Sequence, residues 1–165
     1  MEFAILERLT LNTVDKNNKD DISFVKRLFC DKSIKKWFSG MSVGLLSNPN
    51  NEFFGHGFLV KDRVKYVGYI GIGNYNVDER AVYLRSAIDK DLRGMGYGEI
   101  LLNEITEYIF FNYTGVESIR LKIASNNVAS LRTAKKCQYE LLRDDFYIRY
   151  NPYVRKVKTK LKDEC

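Results

Sequence analysis

The segment Leu92-Arg93-Gly94-Met95-Gly96-Tyr97-Gly98 constrains this chain more than any other stretch. Three glycines at alternate positions allow a sharp turn and a close approach of backbone to a ligand, with no Cβ atoms in the way. The turn lies between a run that reads as a strand, Ala81 to Ile88, and one that reads as a helix, Glu99 to Phe111. A helix entered from such a loop aims its unpaired N–H groups and the positive end of its dipole at whatever occupies the turn. The arrangement predicts a cradle for an anion such as a phosphate, and taken alone it reads equally as a plain helix entry.

Two other phosphate loops do not fit. A dinucleotide fingerprint needs G-x-G-x-x-G early in a βαβ unit and an acidic residue about twenty positions on. Here the glycines give G-x-G-x-G past the middle of the chain, and Glu117, near the right distance, precedes the run Ser118 to Ser125 instead of ending a strand. A nucleoside-triphosphate loop needs Gly-Lys-Ser or Gly-Lys-Thr, which the sequence lacks. Farther on, Ile119-Arg120-Leu121-Lys122-Ile123 alternates apolar and basic residues, as a strand with one buried face does. It leads into Asn127, Ser130, Ala134, Lys136 and Tyr139 on a segment that reads as a helix. On residue type alone, Asn127 and Ser130 both read as helix caps.

The spacing Arg93-x-x-Gly96-x-Gly98 resembles the pyrophosphate-binding signature of the GNAT N-acetyltransferases, which hold acetyl-CoA in this way. The offsets of Asn127, Ser130, Ala134, Lys136 and Tyr139 are similar to the second signature of that family. Near the N-terminus, Glu7 to Leu11 and Asp31 to Phe38 resemble the opening strand and first helices of the ribosomal-protein N-acetyltransferase branch, the RimJ/RimL-like proteins. The resemblance implies an α/β fold with a mixed, partly splayed central sheet flanked by helices. It also implies acetyl-CoA as co-substrate, no metal, and a primary amine as acceptor: a protein N-terminus, a lysine or a small-molecule amine. On this reading Arg93, Gly94, Met95, Gly96, Tyr97 and Gly98 hold the pyrophosphate, and Asn127 bonds the pantetheine arm. Two departures matter. Ala134 stands where many relatives carry the tyrosine that protonates the departing thiolate, and Gln138 stands where the family has a glycine before the final aromatic. The turn at Gln138 is therefore expected to form without a residue free to be left-handed.

Acetyl transfer makes definite chemical demands. Lysine and α-amino groups, with ordinary pKa values of ~10.4 and ~7.8, must lose a proton before attack. The resulting oxyanion needs a donor, which the family supplies as a backbone N–H where the strand before the glycine loop splays away; by register this lies at Ala87 and Ile88. The thiolate needs a proton, and Ser130 is the hydroxyl that the resemblance assigns to that role. Tyr83 and Arg85, with Ser86, lie on the strand before the cradle and are candidates to line the acceptor pocket. His56, the one histidine, reads as a general base or as an ordinary turn residue, and Glu79 as a carboxylate acting through water.

Length and composition fit one domain over residues 1–153 and a basic tail over 154–165, in which five basic side chains stand against two acidic ones. With 165 residues, no long apolar run and no leader-like start, the chain reads as cytoplasmic and unconnected with membranes. It reads as a monomer or homodimer. Cys30 and Cys137 are expected in or near the core, and Cys165 is a loose terminal thiol. The net charge of +6 leaves room for a nucleic-acid partner, as in an acetyltransferase acting on aminoacyl-tRNA. The missing tyrosine leaves room for an acyl-CoA sensor with no catalysis. The expected elements are a strand over Phe3 to Leu11, helices over Asp20 to Phe38 with Ile22, Val25, Leu28 and Phe29 inward, and a loop at Ser47 to Asn51. Next come a hairpin of Phe53 to Val60 and Val64 to Ile72 turning at Lys61 to Arg63, and a helix after the glycine loop with Leu101, Ile105, Tyr108 and Ile109 inward. Phe146 to Tyr150 is the closing strand.

Overall fold

Polar and apolar alternation in the strands, and caps at the helix ends, resolve into eight strands and four helices among the described residues, 2–36 and 53–154 of a computed structural model. The expected continuation of the first helices through Trp37 and Phe38, the loop at Ser47 to Asn51, Cys165 and the tail from residue 155 lie outside the described residues. The strands are β1 (Glu2–Ile5), β2 (Thr10–Asn12), β3 (His56–Asp62), β4 (Lys65–Ile72), β5 (Ala81–Ile88), β6 (Ser118–Lys122), β7 (Glu140–Arg143) and β8 (Phe146–Tyr150). The helices are α1 (Lys19–Cys30), α2 (Lys32–Lys35), α3 (Tyr97–Asn112) and α4 (Val128–Lys136). The sheet order is β1-β2-β3-β4-β5-β6-β8-β7. Pairing is antiparallel along β1 to β4, parallel between β5 and β6, and antiparallel from β6 through β8 to β7, so the sheet is mixed. Among the described residues no helix is long and apolar enough to cross a membrane.

The chain divides into two compact units, Met1–Ile72 with Arg85–Gly98, and Gly73–Leu84 with Glu99–Cys165; β5 contributes residues to both. In the first unit, Asn18 caps α1 by accepting from the N–H groups of Asp20 and Asp21. Phe24, Val25 and Leu28 pack with Ile34, Leu59, Tyr69 and Ala87. The buried face of α1 is therefore Asp21, Phe24, Val25 and Leu28, and the expected inward Ile22 and Phe29 are only half-buried. A buried aspartate is tolerated because Tyr66 donates its hydroxyl to Asp21, the Asp15 N–H donates at 3.0 Å, and Lys61 Nζ lies 3.6 Å away. Cys30, expected near the core, is exposed at the end of α1.

Three strand expectations need correction. Phe3 to Leu11 is not one strand but a hairpin of β1 and β2, closed by a Leu6 N–H to Leu9 carbonyl bond of 2.8 Å. The β3–β4 turn falls one residue later than expected, at Arg63-Val64, with Arg63 at φ +56° and Asp62 opposite Lys65. The sequence reading also omitted β7, whose four residues are all exposed.

In the second unit, α3 buries Leu101, Leu102, Ile105, Thr106, Ile109 and Phe110, while Tyr108, expected inward, sits half-buried at the rim of that face. Ile119, Leu121, Ala134, Cys137, Tyr139 and Ile148 belong to the same buried set. The Thr106 and Tyr139 hydroxyls share a buried 2.7 Å hydrogen bond.

Candidate functional site

In the first unit, β5 ends at Ile88, and Asp89 starts a 3-10 turn over Lys90–Leu92 by accepting from the Asp91 N–H at 3.0 Å. Asp89 is itself fixed: its N–H donates to the Val67 carbonyl at 2.9 Å and its carboxylate pairs with Arg27. The chain then passes through Gly94 at φ +78° and Gly96 at φ +85°. Among the described residues nothing lies within 4 Å of a Cβ built at either position, so backbone conformation and not space requires glycine there. α3 begins at Tyr97, two residues earlier than expected, so Gly98 lies inside its first turn. The N–H groups of that turn have no partners within the helix and carry its positive end. Loop and helix start together form an open turn of the geometry that suits an anion, with Met95 exposed at its outer edge.

Two ties hold this turn in place. The Tyr97 hydroxyl donates to Asp62 Oδ2 at 2.9 Å, and Arg8 donates to the same oxygen from Nη2 and Nε at 2.7 and 3.1 Å. The hydrogen bonds from Arg8 and Tyr97 hold the Asp62 carboxyl below its usual range, and the bond to Asp62 raises the Tyr97 phenol. The Arg8 guanidinium also lies over the Tyr97 ring, 5.3 Å from its centroid. The second tie is Arg93. Its Nε donates to the Ile88 carbonyl at 3.1 Å, Nη1 to Ser33 Oγ at 2.9 Å and Nη2 to Asp31 Oδ2 at 3.3 Å. The side chain expected to meet pyrophosphate is thus engaged with the cap of α2, and an anion in the turn meets backbone N–H groups first. Neither Arg8 nor Asp62 was visible in the sequence as part of this site; they stand 89 and 35 residues from Tyr97.

β5 behaves differently along its length. Its parallel pairing with β6 runs from Ala81 opposite Ser118 to Leu84 opposite Leu121. Arg85–Ile88 belong to the first unit, where a Cβ on Gly68 would lie 2.1 Å from the Ala87 carbonyl oxygen, so the two backbones touch there. Ala87 and Ile88, the expected oxyanion donors, lie beyond the last β6 pair. Arg85 and Ser86 are exposed, and His56 opens β3 opposite Ile72.

In the second unit, the residues of the second motif take distinct roles. Asn127 caps α4: its Oδ1 accepts from the Ser130 N–H at 3.3 Å and its carbonyl from the Leu131 N–H at 3.0 Å. Ser130 is therefore not the cap that its residue type allowed. It lies in the first turn of α4, half-buried, and its hydroxyl has no hydrogen-bond partner among the described residues. Ala134 is fully buried, and Lys136 reaches Glu99 at 3.3 Å. Gln138 does become left-handed, at φ +65°, correcting the expectation for that turn. The Tyr139 N–H reaches the Ala134 carbonyl at 2.9 Å and the Gln138 N–H the Lys135 carbonyl at 3.1 Å, the two bonds of a Schellman ending.

Glu79, Tyr83 and Arg120 form a polar cluster in this unit. Tyr83 donates to Glu79 Oε2 at 3.0 Å, and Arg120 Nη1 donates to Glu79 Oε1 at 2.6 Å and to the Tyr83 oxygen at 3.2 Å. Glu79, a candidate base from the sequence, is thereby held as the partner of a cation. Tyr83 is half-buried in the same network.

The model of the acetyltransferase (GNAT) family matches residues 23–139. No curated protein matches the sequence. Among solved structures, the chain is similar to a GNAT-family acetyltransferase from Bacillus anthracis, with 15% identity, a TM-score of 0.72, and 89% of this chain and 97% of that one covered. It is similar to the spermidine N-acetyltransferase of Vibrio cholerae in complex with CoA and spermine, with 17% identity, a TM-score of 0.64, and 87% and 96% covered. A candidate ribosomal-protein-serine acetyltransferase, also from Vibrio cholerae, shows 17% identity, a TM-score of 0.65, and 91% and 97% covered. At these identities the likeness is one of fold: a mixed eight-stranded sheet flanked by helices.

Proposed function

Because the chain belongs to the acetyltransferase (GNAT) family, we propose that it moves acetyl from acetyl-CoA to a primary amine by direct attack, with both substrates bound at once. The observation that carries the reading is the turn itself: two left-handed glycines, open space above both, and the first turn of a 16-residue helix behind them. The anion that suits it is the pyrophosphate of the co-substrate, taken by the N–H groups of 93–98. Asn127 bonds the pantetheine arm through the amide nitrogen that its capping role leaves over. The thioester supplies an acyl carbon activated for attack. The amine, having lost a proton to water, forms the C–N bond, and a backbone N–H of Ala87 or Ile88 accommodates the developing oxyanion. The C–S bond then breaks, the former amine nitrogen releases its second proton to solvent, and the thiolate takes a proton from the Ser130 hydroxyl, our candidate donor, which has no hydrogen-bond partner among the described residues and regains its proton from solvent. The products are the acetamide and free CoA thiol.

Opening segments similar to the RimJ/RimL-like branch support a cytoplasmic enzyme of that type. A sensor reading is favoured by two features, the alanine at position 134 and the pairing of Glu79 with Arg120. Thiol release from acetyl-CoA across an amine library separates the two: turnover supports the enzyme, and tight acetyl-CoA binding with no turnover on any amine supports the sensor. Labelled acetyl-CoA in a cell extract, read by mass spectrometry, then identifies the acceptor.

A further inference from the structure

We propose that β7 is the seat of a two-fold contact between two copies of this chain, in which the two β7 strands pair antiparallel with Glu140 opposite Arg143 and Leu141 opposite Leu142. The proposal stands apart from the acetyl-transfer reading. β7 ends the sheet: β8 pairs with one side of it, and no strand lies on the other among the described residues. All four of its side chains are exposed, Leu141 at 61% and Leu142 at 39%. Such an edge presents unpaired backbone N–H and C=O groups beside apolar side chains, a template for another strand. Side-chain direction decides which strand fits. Glu140 stands opposite Ile148 and Arg143 opposite Phe146, two residues apart on β8, so both charges lie on one face of the sheet. Leu141, opposite Tyr147, lies on the other face, and Leu142 is the extra residue of the bulge beside it. Without the bulge, residues three apart would point to opposite faces. A two-fold axis normal to the sheet keeps each face continuous, so Glu140 of each copy meets Arg143 of the other on one face, and the leucines meet on the second.

The charges along the whole edge agree. From the end of α4 to the turn before β8, Lys135, Lys136 and Arg143 stand against Glu140, Asp144 and Asp145, so this stretch is neutral in a chain of net charge +6. Neither Glu140 nor Arg143 has an ion-pair partner among the described residues; Arg143 overlies the Phe146 ring, 5.9 Å from its centroid. The same axis carries the Asp144-Asp145 turn of each copy toward the end of α4 in the other. Lys135 and Lys136 are exposed there, and only Lys136 is engaged, with Glu99. A polyanion or a polycation would meet repulsion from half of these groups, whereas a second copy meets its complement. A four-residue ladder is short. The contact is smaller than the roughly 1,600 Å² of a standard stable interface, and the association belongs in the micromolar range.

The test is sedimentation of the full chain from about 10 to about 500 μM, under reducing conditions that exclude a disulfide through the exposed Cys30. The wild type should pass from the chain mass toward twice that mass across the range. Glu140→Arg and Arg143→Glu each place like charges at both pairs, and each should weaken self-association at least tenfold. An equal mixture of the two variants should recover a dimer holding one chain of each, because every arginine at the contact then faces a glutamate. Circular dichroism melts establish that the variants fold. Should Arg143→Glu, which gives up the Phe146 ring, fold poorly, Leu141→Lys should weaken self-association by a similar factor. A wild type that keeps the chain mass throughout, a dimer unmoved by these substitutions, or a mixture of folded variants that remains monomeric would overturn the proposal.

Discussion

Gln138 holds a φ of +65° that only glycine enters without steric cost, and it does so to complete the Schellman ending of α4. Gln138→Gly should therefore stabilise the protein by about 0.5–1 kcal/mol, raising Tm by roughly 1–4 °C at this size, which calorimetry can read. The converse holds at Gly96, where φ is +85° and the space is open. Gly96→Val should fold with strain on the order of 1–3 kcal/mol. It should lose at least tenfold in acetyl-CoA affinity, and unchanged affinity in a folded variant would reduce the loop to a helix entry. Asn127 and Ser130 separate by the same kind of argument. Asn127→Ala removes the cap of α4 and should cost about 1 kcal/mol of stability. Ser130→Ala should leave the melting curve nearly in place and lower kcat without moving KM for acetyl-CoA, because a bond to sulfur strengthens only as charge develops there. A fully active Ser130→Ala enzyme would remove Ser130 from the mechanism.

At the scale of elements, the start of α3 is held by residues from two distant turns, Arg8 after β1 and Asp62 at the end of β3. Tyr97→Phe keeps the ring and removes the hydrogen bond to Asp62. Acetyl-CoA binding should weaken several-fold while kcat at saturation stays near wild type, and equal binding by the two proteins would show that the tie does not position the turn. These contacts mark where the sequence stops being readable. The glycine loop and the α4 cap were legible because left-handed φ and N-caps are local demands that few residue types meet. The pairing of Arg8 with Asp62 spans 54 residues and leaves no local signal. The β1–β2 hairpin was hidden because its turn, Glu7-Arg8, lacks glycine, proline and asparagine, and Leu6 and Leu9 on either side are both buried. β7 was missed because Glu140-Leu141-Leu142-Arg143 does not alternate and buries nothing; it is a strand only because β8 pairs with it.

For the molecule as a whole, pH should act through the first unit. Asp62 is held below the usual carboxylate range by Arg8 and Tyr97, and Asp31 by the Ser33 hydroxyl and N–H, with Arg93 adding to this. At Asp21 burial pushes upward, but the hydrogen bonds from Tyr66 and Asp15 and the charge of Lys61 outweigh it. Carboxylates depressed in the folded state stabilise it above their unfolded pKa, ~3.9, and that stability is lost as pH falls through the folded values. Protonation also adds charge to a chain already at +6. Stability should be level from neutral pH to about 5 and fall below about 4, and Asp21→Asn should show a shallower acid limb. Hydrogen exchange, corrected for intrinsic rates, should then show the amides of α1 and β1 to β4 losing protection as the pH falls toward 4. Full protection at that pH would set these three aspartates aside as the source of the acid response.

The two described cysteines differ in a way that can be read with an alkylating reagent. Cys30 is exposed, whereas Cys137 is buried against the carbonyl of Glu99, and burial pushes its thiol up to about 11. A thiol so placed stays protonated and inert at neutral pH until the structure around it opens. Iodoacetamide should therefore modify Cys30 promptly and Cys137 only at the opening rate of the second unit. The protein carries its own clock for that event, with no label to attach and no residue to change.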